Sequence, residues 1–321
     1  MPYAIRRPHS LALTCILALA AILRLGWPGI SEFKLDEATM ARTALAFARQ
    51  GQLPLRGLTS SLGLPHPPLT AYLLAIPFAL TRNPALAVGF FGALGVLAVG
   101  LTYLLGARYF DRRVGLIAAA LFATSPWAVF YSRKIWSQNQ PAVTLGFMLA
   151  LYALVVDRKP RGLAWALVGL GGLLGLHLGG VAFVGVLIGA LGLHPRALSA
   201  VRLRWALIGA AGLLLLMAPF AVYLVEQNAT PSAALNVTGQ QSTGAPSLQP
   251  ALYAAQIATG WRFHALAGDG WLEYRAGLPP LWPLDVVEMA LVGLGALYVV
   301  YRALGGQRDR RPRYALLALW L

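Results

Sequence analysis

The chain has 321 residues, 58% of them hydrophobic and only 12% charged, with 34 glycines and a mean hydropathy of +0.64. Repeated apolar runs of spanning length exclude a soluble globule, and the lack of short alternating strands argues against a β-barrel. The fold class expected is an all-α polytopic membrane protein, whose helices satisfy their own backbone in hydrocarbon. The formal charge of +15 implies no nucleic-acid partner, because the basic residues sit in short clusters between apolar runs, where the positive-inside rule places them.

In chain order, the first predicted span covers residues 10 to 27. Ala18-Leu19-Ala20 resembles a signal-peptidase site behind Arg6 and Arg7, but apolar character continues to Trp27, so an uncleaved helix is expected, with Arg24 snorkelling from its end. Cys15, the single cysteine, lies inside this run and offers neither a disulfide framework nor a thiolate metal site. Residues 36 to 50 read as an amphipathic helix with Met40, Ala44 and Phe47 in one stripe and Asp36 at its head. The acidic pair Asp36-Glu37 carries two readings: a helix cap with a dipole-complementing neighbour, or a catalytic carboxylate at a membrane surface.

Pro67 and Pro68 open a helix over 69 to 80, which at about 1.5 Å per residue is too short for a hydrocarbon core of about 30 Å and is expected to lie at the membrane surface or re-enter it. Further spans are expected over 84 to 107, 114 to 130, 141 to 156, 162 to 177, 178 to 193, 205 to 225 and 282 to 301, with another beginning near 314. In the Gly-rich stretch from Gly169 to Gly192, two short helices must meet at His177; a single tilted one would reverse everything downstream. With the N-terminus cytoplasmic and 69 to 80 not crossing, the clusters at 108–113, 158–161, 196–204 and 302–313 fall inside and most acids fall outside. Two long external segments follow, a candidate catalytic loop over 28 to 83 and a second over 226 to 281, within one transmembrane domain that stops at Leu321 in an apolar run and reads as truncated.

Arg133-Lys134, adjacent cations on the outer side, run against the charge bias and call for an anion: a phosphate, or lipid headgroups reached by snorkelling. His66, before the Pro pair, is a substrate contact or an exposed loop imidazole. His177 and His264 lack metal-like spacing, and sequons stand at Asn228 and Asn236.

Phe33-Lys34-Leu35-Asp36-Glu37-Ala38, Gly51-Gln52-Leu53-Pro54, Pro67-Pro68-Leu69-Thr70-Ala71-Tyr72, Ala107-Arg108-Tyr109-Phe110-Asp111-Arg112-Arg113, Ser125-Pro126 and Ser132-Arg133 follow one another over about the first 190 residues. In that order they resemble the GT-C membrane glycosyltransferases, in the branch of protein O-mannosyltransferases, lipid A aminoarabinose transferases and RgtA-like bacterial members. The resemblance implies a GT-C-type helix bundle and an inverting transfer of a sugar from a polyprenyl-phosphate carrier to an acceptor hydroxyl at the outer interface. It implies Asp36 as the catalytic residue with Glu37 beside it, and leaves Arg42, His66, Arg133 and Lys134 as substrate contacts. Thr39-Met40 replace the Arg-Tyr usual after the acidic pair, so the first arginine there is Arg42. No cofactor is implied, and a divalent cation is disfavoured because Ser137-Gln138-Asn139-Gln140 contains no acid. The rival readings are a polyprenyl-lipid transporter or flippase, a metal-dependent oligosaccharyltransferase, and a catalytically silent protein that binds the carrier.

Overall fold

The computed structural model describes residues 7–60, 63–138, 141–227, 248–261, 282–305 and 310–320, with residues 263, 277, 279 and 307. Much of the second long segment, with both sequons, His264, Asp269 and Glu273, lies outside the described residues, as do Asn139 and Gln140. Among the described residues, helix is the only regular structure beyond one antiparallel bridge, Thr59 to Pro65.

The helices are α1 (Arg7–Leu25), α2 (Leu35–Gln50), α3 (Leu69–Leu80), α4 (Pro84–Tyr109), α5 (Arg112–Thr124), α6 (Pro126–Ser132), α7 (Pro141–Val155), α8 (Arg161–Leu176), α9 (Ala182–Leu193), α10 (Leu203–Glu226), α11 (Gln249–Ala258), α12 (Trp282–Gly305) and α13 (Arg311–Trp320). By length and composition α4, α10 and α12 can each cross a membrane, and α5 with α6 makes a fourth span if counted as one bent element. The core centres on α7, whose Phe147, Met148, Leu151, Tyr152 and Leu154 are fully buried. α12 buries none of its residues, and α10 exposes Leu207, Leu214 and Leu215, as lipid-facing helices do. α4 and α5 approach so closely that a Cβ on Gly106 would stand 2.6 Å from the Gly115 Cα.

Two expectations change. The span predicted over 114 to 130 is broken, with α5 and α6 meeting at 63°. Pro126 has no N–H to return to the Phe122 carbonyl, so the ladder stops there, and Ser125 starts the new helix by accepting from the Ala128 N–H at 3.5 Å. The second change is Arg24, which does not snorkel. It is 1% exposed and donates through Nη1 to the Ala123 carbonyl at 2.7 Å and through Nη2 to the Phe122 carbonyl at 2.8 Å. A buried arginine thus satisfies the two carbonyls that the Pro126 break leaves without helical partners. Gly95 makes room for it, since a Cβ there would lie 3.0 Å from the Arg24 Cδ.

Other helix positions match the sequence reading, but the apolar helical stretches Ser10–Leu25, Pro141–Val155, Arg161–Leu176 and Leu178–Leu193 are each 10–17 residues long, short for the spans expected there. α3 covers Leu69–Leu80 as expected, opening after Pro67-Pro68, and α8 and α9 separate at His177. The motif at Gly51 has a local cause: Gly51 takes φ 70° and ends α2 while the Gln52 N–H returns to the Ala46 carbonyl at 3.4 Å. Replacing Gly51 by Ala is expected to lower stability by about 1 kcal/mol, read as a drop in melting temperature in detergent.

The bundle has two distinct ends. α4, about 39 Å long, runs from the α2–α3 end to Arg108 and Tyr109. There the Arg313 Nη1 donates to the Tyr109 carbonyl at 3.0 Å and the Tyr152 hydroxyl to the Arg313 carbonyl at 2.7 Å. Asp111 caps α5 at this end, accepting from the N–H groups of Arg113 at 2.7 Å and Val114 at 2.9 Å, which gives that motif a structural purpose.

Candidate active site

The site end is assembled from the start of α2, the loop after α1 and the segment after α6. Lys34 stands in extended backbone ahead of α2, and its N–H donates to Glu37 Oε2 at 3.0 Å. The capping position expected at Asp36 is therefore one turn-residue pair earlier, at Lys34, and the capping acid is Glu37. Asp36 occupies the second helical position with its carboxylate exposed and without a hydrogen bond or ion pair to any described residue.

Glu37 is 1% exposed. Its Oε1 lies 3.1 Å from Lys134 Nζ, outside hydrogen-bond direction. Lys134 also pairs with Glu32, which Lys34 holds from the other side, so two lysines and two glutamates alternate in one chain of charge. Hydrogen bonds from Lys134 and then Lys34 hold the Glu32 carboxyl below its usual range. Burial pulls the Lys134 ammonium down, but Glu32 and Glu37 outweigh it and leave its pKa raised. The Lys134 Nζ also stands 4.4 Å from the Trp136 ring centre.

The anion that Lys134 calls for is thus supplied internally. Arg133 is likewise engaged: Nη1 donates to the Leu23 carbonyl at 3.3 Å and Nη2 to the Trp27 carbonyl at 2.6 Å. The Leu23 carbonyl lies in the last turn of α1, where helical partners run out, while Trp27 stands just beyond α1 and its carbonyl also accepts from the Ile30 N–H at 3.2 Å. Arg24 of α1 closes α5, and Arg133 after α6 closes α1. The two arginines lock the acidic loop and the cationic segment into one geometry.

The remaining predicted residues lie apart from this network. Arg42 is exposed on the flank of α2, where it lines a cavity of about 610 Å³ with Arg49, Arg82 and Phe33. Arg49 Nε donates to the Phe78 carbonyl at 3.0 Å and so closes the C-terminal end of α3. His66 is not an exposed loop imidazole. It is 7% exposed, its ring centre is 4.1 Å from that of His177, and its Nδ1 accepts from the Leu178 N–H at 3.4 Å.

Burial, and then the neighbouring His177, lowers the His66 pKa to about 4. A histidine neutral in the fold and protonated when unfolded gives stability that is complete above about pH 6.5 and is lost as pH falls toward 4. Melting temperature is therefore expected to fall between pH 6.5 and 4. His66→Gln should flatten that decline relative to the parent chain.

Sequence reasoning missed a cavity of about 610 Å³ that begins at Ser137, Gln138 and His177 and runs between α4, α5, α7 and α9 to Phe110 and Leu317. Its wall is mostly apolar, with Ser137, Gln138 and His177 at one end and Thr102 and Thr144 along it. Among the described residues, no group of three or more His, Cys, Asp or Glu is placed to hold a metal ion.

The site end thus carries an exposed acid beside a lysine–glutamate network, in a bundle of apolar helices of which three, among the described residues, are long enough to cross a membrane. Residues 65–223, just under half of the chain, match the family model described as dolichyl-phosphate-mannose-protein mannosyltransferase, a domain of the GT-C glycosyltransferase type. The match takes in His66, Arg133 and Lys134, while Asp36, Glu37 and Arg42 precede it. No curated protein and no solved structure matches the chain significantly.

Proposed function

We propose that the protein is an inverting glycosyltransferase that moves a sugar from a polyprenyl-phosphate carrier to an acceptor hydroxyl at the outer membrane–water interface. The observation that carries this reading is the division of labour between the adjacent acids. Glu37 is consumed by the cap and the lysine network, whereas the Asp36 carboxylate is exposed and free to take a proton. The family domain supports the donor class.

In this reading Asp36 removes the proton from the acceptor hydroxyl as its oxygen attacks the anomeric carbon from the side opposite the phosphate. The bond from that carbon to the phosphate oxygen breaks, and the departing phosphate takes the electron pair. Arg133 has five N–H donors and Lys134 has three, so each keeps donors for the phosphate beyond those already engaged. The apolar cavity suits an isoprenoid tail, and the Arg42 groove suits an anionic portion of either substrate. No cofactor enters these steps, and transfer is expected to survive chelation of divalent cations.

The test is to reconstitute the full-length protein in proteoliposomes with a panel of polyprenyl-phosphate sugars and to follow glycosylated product by mass spectrometry. Carrier translocation without product would sink the proposal in favour of a flippase. The orientation is proposed from the charge bias, with the arginine-rich end cytoplasmic. In a Cys15→Ala background, a cysteine at Ser60 should react with an impermeant reagent applied outside and one at Ser199 only after permeabilisation; the reverse pattern would invert the protein.

A further inference from the structure

A second cavity, of about 560 Å³, lies at the opposite end of the bundle from Asp36. Its floor is α7 and its walls are α4 and α8, and its rim carries Arg108, Lys159, Arg161 and Asp157. Arg108 Nη2 pairs with Asp157 Oδ2 at 2.7 Å, and Lys159 Nζ lies 3.7 Å from the same oxygen. Arg161 is exposed and makes no ion pair with a described residue. Three cations thus face one carboxylate, leaving the rim positive.

The rim is built by the end of α7. Arg158 takes the left-handed conformation, φ 52°, and the Lys159 N–H turns back to the Ala153 carbonyl at 2.9 Å. This turn sets Asp157 and Lys159 beside Arg108 at the level where α4 ends and α8 begins. Below it the cavity is apolar. Gly146 leaves the floor open, with nothing within 4 Å of a Cβ built on it, and Trp165, 64% exposed, stands about one turn inside the rim, as an interfacial aromatic does.

We infer that this groove binds an anionic phospholipid of the leaflet at the arginine-rich end, its phosphate at Lys159 and Arg161 and an acyl chain along α7 over Gly146. Charge complementarity selects a lipid of net negative charge, since a zwitterionic headgroup would bring its own cation to a rim already positive. The apolar floor selects a lipid over free phosphate. The site is separate from the proposed transfer chemistry and stands whether or not that chemistry is right.

Native mass spectrometry of the purified full-length chain, titrated with phosphatidylglycerol or phosphatidylcholine in detergent, tests it. Phosphatidylglycerol should be retained in preference to phosphatidylcholine. Lys159→Gln with Arg161→Gln should weaken its binding by about tenfold to thirtyfold. Gly146→Leu keeps every charge but fills the floor, and should weaken binding at least as much; because it projects into open space it also decides the matter should the double variant fold poorly. Inorganic phosphate at millimolar concentration should not displace the lipid. Equal retention of the two lipids, unaltered binding in Gly146→Leu, or displacement by phosphate would each overturn the site.

Discussion

Asp36→Asn is expected to lower sugar transfer by about 10²- to 10⁴-fold while leaving the melting temperature unchanged. The substitution keeps the size of the side chain and removes only its basic oxygen. It breaks no contact with a described residue, because the Asp36 carboxylate is exposed and the capping of α2 is done by Glu37. Glu37→Gln should behave in the opposite way. It withdraws a buried charge from Lys134 and weakens the cap, so stability should fall by about 1–3 kcal/mol, with transfer lost in proportion to unfolding. Thermal melts in nanodiscs beside single-turnover transfer separate the two effects. Near-normal turnover in Asp36→Asn at matched carrier binding would remove it from the chemistry.

Arg24→Met should be the most damaging single change outside the acidic pair. Its hydrogen bonds to the Ala123 and Phe122 carbonyls are the means by which the broken α5–α6 junction is tolerated in an apolar surrounding. Leaving both acceptors buried and unpaired costs about 1–4 kcal/mol, allowing for partners found within the membrane. Because α6 leads directly into Arg133 and Lys134, the loss should reach the site: carrier binding should weaken even at temperatures where the bundle is intact. Arg24→Lys should restore only part of the stability, since an ammonium cannot offer the planar pair of donors that meets two carbonyls at once. A melting temperature unaffected by Arg24→Met would show that the bend is held by packing alone.

Much of the architecture was legible in the sequence because it depends on local chemistry. Pro67-Pro68 fixed where α3 begins, the Met40-Ala44-Phe47 stripe marked α2, and the length of apolar runs showed where helices lie, each through backbone geometry or the demand that hydrocarbon makes on peptide groups. The acidic pair was visible because acids are scarce in this chain. Its internal division was not: Asp36 and Glu37 are neighbours in sequence, and which one turns inward depends on Lys134, about a hundred residues away. Arg24 was misread for the same reason, since its partners are carbonyls of another helix and a residue's distance from the end of its own span says nothing about them. His66 and His177, and Arg108 and Asp157, are likewise gathered from separate segments. The sequence by itself determined the class, the helices and the scarce charged residues, because periodicity and peptide hydrogen bonding act over a few residues. Which charges are paired, and which remain free to act, was decided only by the tertiary structure, because ion pairing and burial depend on distances that chain order does not specify.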